Sequence, residues 1–115
     1  MVNYQNGKIY AIRCLTTNAR YVGCTTKRLL CQRLAEHVAA YKYFTRGEGP
    51  FHASFQVLQR GNYIIELIEV FPCTSRNELA HRETFHNRDV PKVTAPEKPQ
   101  QEYYKAAAEL RNIRN

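Results

Sequence analysis

Tyr10 and Tyr21 lie in two segments that read as neighbouring strands. Arg33 and His37 follow, one helical turn apart, and Glu83 stands on a later helix. A phenol, an imidazole, a guanidinium and a carboxylate suit one chemistry well, the hydrolysis of a phosphodiester. That reaction needs a base for water, a cation against the charge of the transition state, and a hard oxygen ligand for a metal. Taken singly, each residue has an ordinary explanation. Tyrosine favours strands, a helical arginine is commonly solvated, and a histidine can rest satisfied at a helix edge. Glu83 could pair with Arg82 or Lys27 at the surface. Their order and spacing together single them out.

The elements that must position these residues are legible in the pattern. Lys8 to Leu15 is rich in β-branched and aromatic residues and reads as a strand. Thr16-Thr17-Asn18 is a turn, and Ala19 to Cys24 returns, so residues 8–24 form a hairpin. Thr25 or Thr26 is then a natural cap for a helix from about Arg28 to Phe44. Leu30, Leu34, Val38 and Tyr41 form its buried stripe, with Arg33 and His37 just beside it. Gly47 to Pro50 break the chain, and Phe51 to Leu58 reads as a short helix. Asn62 to Phe71 is apolar on both faces, the mark of a strand covered on both sides. Ser75 and Glu78 make a capping box for a helix to about Asn87. The inward ladder of that helix is Leu79, Glu83 and His86, which puts a carboxylate where an apolar residue belongs. Burying an unpaired carboxylate costs several kcal/mol unless a cation or hydrogen bonds meet it. Residues 90–101, with Pro91, Pro96 and Pro99, read as a connector, and 102–115 as a final helix packing on or extending the domain of residues 1–89.

Composition excludes several classes. No stretch approaches the apolar length of a membrane span, and the N-terminus lacks a secretory pattern, so an intracellular protein is expected, cytoplasmic or nuclear. Cys14, Cys24, Cys31 and Cys73 include no CxxC pair, which argues against zinc and for four reduced thiols. The net charge of +7 is uneven: residues 1–50 carry +6, residues 51–90 carry −1 and the remainder +2. A basic half suggests a surface that faces a polyanion, most simply nucleic acid.

Lys8-Ile9-Tyr10 and Tyr21-Val22-Gly23 resemble the paired motifs of the GIY-YIG nucleases. The run from Tyr21 through Arg33 to His37 is similar to the second motif of that family. Ile65 to Phe71 with Glu78 to Glu83 is similar to its third strand and Glu-bearing helix. The likeness covers residues 7 to about 88. It implies an α/β (α+β) fold, a small three-stranded antiparallel sheet flanked by helices. It implies further that Tyr10 deprotonates or positions the attacking water and that Tyr21 orients the scissile phosphate. Arg33 would bind that phosphate, and His37 would aid proton transfer or orientation. Glu83 would be the sole protein ligand of one Mg²⁺ (or Mn²⁺), an ion that keeps its waters and takes few carboxylates. Two departures stand out: Lys8 replaces the first glycine, and Cys24 stands where some members have a lysine, a role open to Lys27. Lys27, Arg28, Lys42 and Asn87 are the expected DNA-binding positions.

The function this implies is a metal-dependent DNA endonuclease, of homing or mobile-element type in the first place and a structure-selective repair or junction nuclease in the second. A non-catalytic nucleic-acid-binding module is the alternative from another class. The chain would act on DNA either as a stand-alone module, with a homodimer open to it, or as part of a longer protein that carries a separate targeting domain.

Overall fold

Alternation along one strand, β1 (Lys8–Cys14), organises the fold. In the computed structural model, which describes residues 2–88, Tyr10, Ile12 and Cys14 enter one apolar cluster, while Ile9 and Ala11 enter another. The expectations for residues 90–101 and 102–115 lie outside the described residues. β2 (Arg20–Thr25) pairs antiparallel with β1 across the turn that the sequence marks. Asn18 takes the left-handed conformation there, with φ 62°, which its short polar side chain tolerates.

The third strand, β3 (Tyr63–Val70), lies antiparallel against the other side of β1, giving the order β2-β1-β3. The apolar run of residues 62–71 suggested a strand covered on both faces; Tyr63 and Ile65 do enter one cluster and Ile68 the other, but Leu67 and Val70 stay exposed, so the cover is partial. β1 is the central, deeply buried strand, whereas β3 is an edge with mostly half-buried side chains. Its polar positions are also engaged: Glu66 accepts from Arg13, and Glu69 accepts from Arg82. A bulge interrupts the β1–β3 ladder, since Ile9 faces Glu69 while Tyr10 faces Leu67, leaving Ile68 as the extra residue. Bulges bend a strand and re-aim its side chains, and this one sits beside Tyr10.

Helices cover both faces, as the sequence pattern requires. On the Tyr10 face lie α1 (Leu30–Thr45) and α2 (Phe55–Leu58), through Leu30, Leu34, Val38, Tyr41, Phe44, Phe55 and Leu58. On the other face lies α3 (Arg76–His86), through Leu79 against Ile9, Ala11 and Val22. α1 starts two residues later than the pattern suggests, because Thr25 spends its hydroxyl on the Lys27 N–H in a local turn. Gln32 instead accepts from the Leu29 N–H at 3.1 Å and closes the first turn. Gly47, at φ 81°, ends the helix. Only Phe55–Leu58 of the predicted segment 51–58 is helical, while Phe51 packs its ring on Phe44 and Phe55 from outside. α3 begins as read, with Ser75 Oγ accepting from the Glu78 N–H at 3.2 Å. The domain is thus a small α+β unit with a three-stranded antiparallel sheet and, among the described residues, three helices. No described helix is long and apolar enough to cross a membrane, and all four cysteines are free thiols.

Candidate functional site

The β1–β2 register sets Tyr10 opposite Gly23 and Ile12 opposite Tyr21, so both tyrosines project from the α1 face of the sheet. α1 crosses above them and lowers His37 between the rings. The ring centroids of Tyr10 and Tyr21 are 6.5 Å apart, those of Tyr10 and His37 5.8 Å, and those of Tyr21 and His37 5.3 Å. Gly23 makes this arrangement possible. A Cβ there would stand 2.5 Å from the Tyr10 hydroxyl and 3.0 Å from Cε2 of Tyr21.

Tyr10 is the hub. Its hydroxyl accepts from Arg33 Nε at 3.1 Å and shares a 2.6 Å hydrogen bond with His37 Nε2. On the far side of the imidazole, Nδ1 lies 3.0 Å from Oγ of Ser54, a residue with no exposed surface. Arg33 is held a second time by Glu36, at 3.2 Å from Nη1, and Lys27 approaches the same carboxylate at 3.9 Å. Two anchors fix the plane of a guanidinium. Among the described residues Nη2 of Arg33 makes no hydrogen bond, so one donor edge is left over for a ligand.

Burial sets the protonation states. It pushes the Tyr10 phenol well above its ordinary range, against the opposing pull of the Arg33 cation. It pushes His37 down to about 4, helped by the Arg33 charge and by His52. At neutral pH the phenol therefore keeps its proton and the imidazole is neutral. Tyr10 also has no exposed surface. Both roles that the resemblance implies for Tyr10 bring it to the attacking water, whereas in the resting geometry its hydroxyl is engaged by Arg33 and His37.

Glu83 comes from the opposite face. Cys24 pairs with Ile9 and so points toward α3, where the Glu83 carboxylate, after burial itself, raises the pKa of its thiol. Glu83 is half-buried, and burial raises its pKa while the Arg33 cation lowers it. The same carboxylate raises the pKa of Tyr21 after burial itself. The candidate site therefore wraps around the edge strand β2, with Tyr21 and Arg33 on one side and Glu83 on the other. Neither the Glu83 carboxylate nor the Tyr21 hydroxyl has a hydrogen bond or ion pair among the described residues.

No group of three or more His, Cys, Asp and Glu side chains forms a cage among the described residues. A lone half-buried carboxylate without a partner nevertheless fits a hard divalent ion whose remaining ligands are water and substrate oxygens. His86, the third member of the inward ladder, lies elsewhere: its Nε2 is 3.0 Å from Glu69, which also takes Arg82. Together these donors hold the Glu69 carboxyl down at about 2, with Arg82 the larger cause.

The other expected positions divide. Lys27 and Arg28 are exposed just before α1, and Lys27 reaches Glu36 beside Arg33. Lys42 is exposed farther along the helix, roughly 13 Å from Arg33 by helical rise. Asn87 caps α3, its backbone N–H donating to the carbonyls of Glu83 and Thr84. Lys8 uses its ammonium to clamp the carbonyls of Asn6 and Lys27, each at 2.8 Å. It thereby ties the start of β1 to the segment before α1. Sequence reasoning missed Ser54 and Glu36. Ser54 sits in an irregular segment with no motif, and Glu36 reads as an ordinary helical surface acid.

A small α+β domain with a tyrosine–histidine–arginine cluster at one sheet edge is the class that these features define. Compared with protein-family models, curated proteins and solved structures, the chain matches none.

Proposed function

We propose that this chain is a metal-dependent endonuclease with the GIY-YIG fold, hydrolysing DNA phosphodiester bonds at the β2 edge. One observation carries the reading. The groups with bonding capacity to spare, the Tyr21 hydroxyl, Arg33 Nη2 and the Glu83 carboxylate, share one electrostatic neighbourhood. The groups behind them, Tyr10 and His37, are bonded and buried. A supported site that faces outward with unused donors and acceptors suits a ligand supplied from solution. A phosphodiester fits it, since a planar guanidinium pairs with phosphate oxygens. The +6 charge of residues 1–50 adds attraction for a polyanion.

In this reading Arg33 binds a non-bridging phosphate oxygen and balances the charge that grows there. Tyr21 orients the phosphate and the attacking water by hydrogen bonding. Tyr10 and His37 hold Arg33 in place, and Glu83 would hold one Mg²⁺ or Mn²⁺. The chemistry supplied there would be polarisation of the phosphate and a lowered pKa of coordinated water. Lys27 and Arg28 flank Arg33 and extend the contact along the DNA backbone, which fixes position rather than sequence.

The test is incubation of the protein with supercoiled plasmid and with branched DNA, in Mg²⁺, Mn²⁺ or EDTA, beside Glu83→Ala. Cutting that needs the ion and is lost in the variant, with DNA binding retained, is the expected result. A preference for plasmid points to a mobile-element nuclease, and a preference for branches to a repair or junction nuclease. Salt-sensitive binding without any cutting would replace this reading with a non-catalytic binding module. Undiminished cutting by Glu83→Ala would remove Glu83 from the site.

A further inference from the structure

We infer that Arg76 is a second phosphate-binding residue: standing on the Glu83 side of the β2 edge, it takes a DNA backbone phosphate that flanks the one bound by Arg33. This rests on the nuclease reading for what becomes of the DNA, while the contact itself requires only that DNA be bound.

α3 carries Arg76, Ala80 and Glu83 at the spacing i, i+4, i+7, which lines one face of a helix. Leu79 fixes which way that face looks. It is buried against Ile9, Ala11 and Val22, and Cys24 of β2 packs at the margin of the same cluster. Successive helical residues turn by about 100°, so Arg76 and Glu83 fall within about 20° of each other, on the same side of Leu79. The Cys24 thiol senses both. Burial raises its pKa most, the Glu83 carboxylate adds to that, and the cations of Arg33 and Arg76 oppose it. Arg33, Arg76 and Glu83 therefore surround one stretch of β2, an edge strand with no strand outside it among the described residues. The rise from Arg76 to Glu83 is about 10 Å. About three nucleotides of one strand span that length along a duplex axis, so the two residues serve neighbouring phosphates and not a single one.

What marks Arg76 is that its charge is uncompensated. Arg13 is spent on Glu66, Arg82 on Glu69, and Lys8 on two backbone carbonyls. Arg33 is held by Tyr10 and Glu36. Arg76 is exposed and makes no hydrogen bond or ion pair among the described residues. Its helical neighbours at i+3 and i+4 are Leu79 and Ala80, which offer no carboxylate. Glu78, close in sequence, turns its carboxylate to Thr74, accepting from the hydroxyl at 2.7 Å and from the N–H at 3.3 Å. Ala80 adds only a methyl group between Arg76 and Glu83, so that face of the helix stays open. A carboxylate alone on this side of β2 would repel a phosphate chain. A guanidinium in line with it offsets the repulsion and presents the planar pair of donors that phosphate oxygens accept.

The test is metal-free binding. A fluorescein-labelled duplex is titrated in EDTA with the intact native protein, Arg76→Ala, Arg76→Lys and Arg60→Ala, over about 50–200 mM salt. Arg60 is exposed and its charge acts on Cys14, at the other end of β1, so its loss controls for net charge. Removing an exposed, unbonded side chain leaves the fold intact. In Arg76→Ala the slope of log affinity against log salt should flatten by about 0.9, the share of one phosphate. Affinity should fall about tenfold, the scale of one charge-assisted hydrogen bond, and by a similar factor for unrelated sequences. Arg76→Lys should recover the slope, and Arg60→Ala should keep it. In Mg²⁺ the KM for DNA should rise in Arg76→Ala with kcat unchanged. An unaltered slope in Arg76→Ala, or an equal flattening in Arg60→Ala, overturns the inference and leaves the nuclease reading standing. A native protein that binds DNA and cuts none sinks the nuclease reading, and the slopes still decide Arg76. A native protein that binds no DNA overturns both.

Discussion

At the scale of single residues, the site depends on a side chain that is missing. Gly23 is not a turn residue here; it lies in the ladder opposite Tyr10. Its lack of a Cβ lets the Tyr10 ring cross the strand, since an added carbon would come within 2.5 Å of the hydroxyl and 2.7 Å of Cζ. Tyr10 has nowhere to retreat, being packed among Ile12, Tyr41 and Phe55 in the same cluster. Gly23→Ala should therefore destabilise the fold by about 1–3 kcal/mol, the usual cost of overpacking. It should also pull the phenol off Arg33 and His37 and slow cleavage at least about tenfold, one decade being some 1.4 kcal/mol of barrier. Urea denaturation and a cleavage assay on the one variant check both. Wild-type stability with wild-type rate would mean that Tyr10 is not held as described.

At the scale of elements, the two halves of the site ride on different layers. Tyr21, Arg33 and His37 belong to the hairpin and α1, whereas Glu83 arrives on α3. What docks α3 is a small apolar contact and a polar one. Leu79, at 4% exposed, is its one buried residue, and Arg82 and His86 grip Glu69 on β3. Half-exposed ion pairs contribute little on their own, so Leu79 should dominate. Leu79→Ala is expected to cost about 2–5 kcal/mol and to impair metal-dependent cutting more than metal-free DNA binding, because only the Glu83 half is loosened. Equal loss of both activities would show that the two halves are not separable in this way.

At the scale of the whole molecule, the buried histidine ties folding to pH. Folding lowers the His37 pKa from its ordinary 6.5 to about 4. Between those values the unfolded chain binds the proton more readily, so stability rises with pH through this window and is fully present above about 6.5. As pH falls toward 4 that stability is lost. The lowered carboxyl groups of Glu66 and Glu69 act in the same direction, but only below the ordinary carboxylate value of 4.5. The interval from pH 6.5 to 5 lies above those two groups; there the Glu83 carboxyl, raised by burial, works against the His37 slope without reversing it if the histidine is buried and neutral. The melting temperature should drop by several degrees across it, a 1 kcal/mol loss moving a domain of this size by about 4–8 °C. His37→Gln should melt lower at pH 7 and flatten the slope. A native protein with no slope in that interval would contradict the buried, neutral state of His37.

Much of this was written locally. Alternation in Lys8–Cys14, the turn at Asn18, the helical stripe from Leu30 to Tyr41 and the Ser75–Glu78 cap each depend on neighbours a few residues away. Those signals sufficed for the element order, and residue type with spacing sufficed to nominate Tyr10, Tyr21, Arg33, His37 and Glu83. Other features arise only when distant segments meet. Whether an apolar strand is central or an edge depends on what pairs with its far side, so residues 62–71 were read as more buried than β3 is. The partners of His37 could not be read either, because Ser54 is 17 residues away in an irregular stretch and reaches the ring only when α2 packs under α1. Sequence alone fixed which chemical groups the chain carries and the faces they occupy. Tertiary packing decided which groups are bonded and buried, and which are left with capacity to spare, because burial and hydrogen-bond partnership are properties of a filled volume, not of a local stretch of chain.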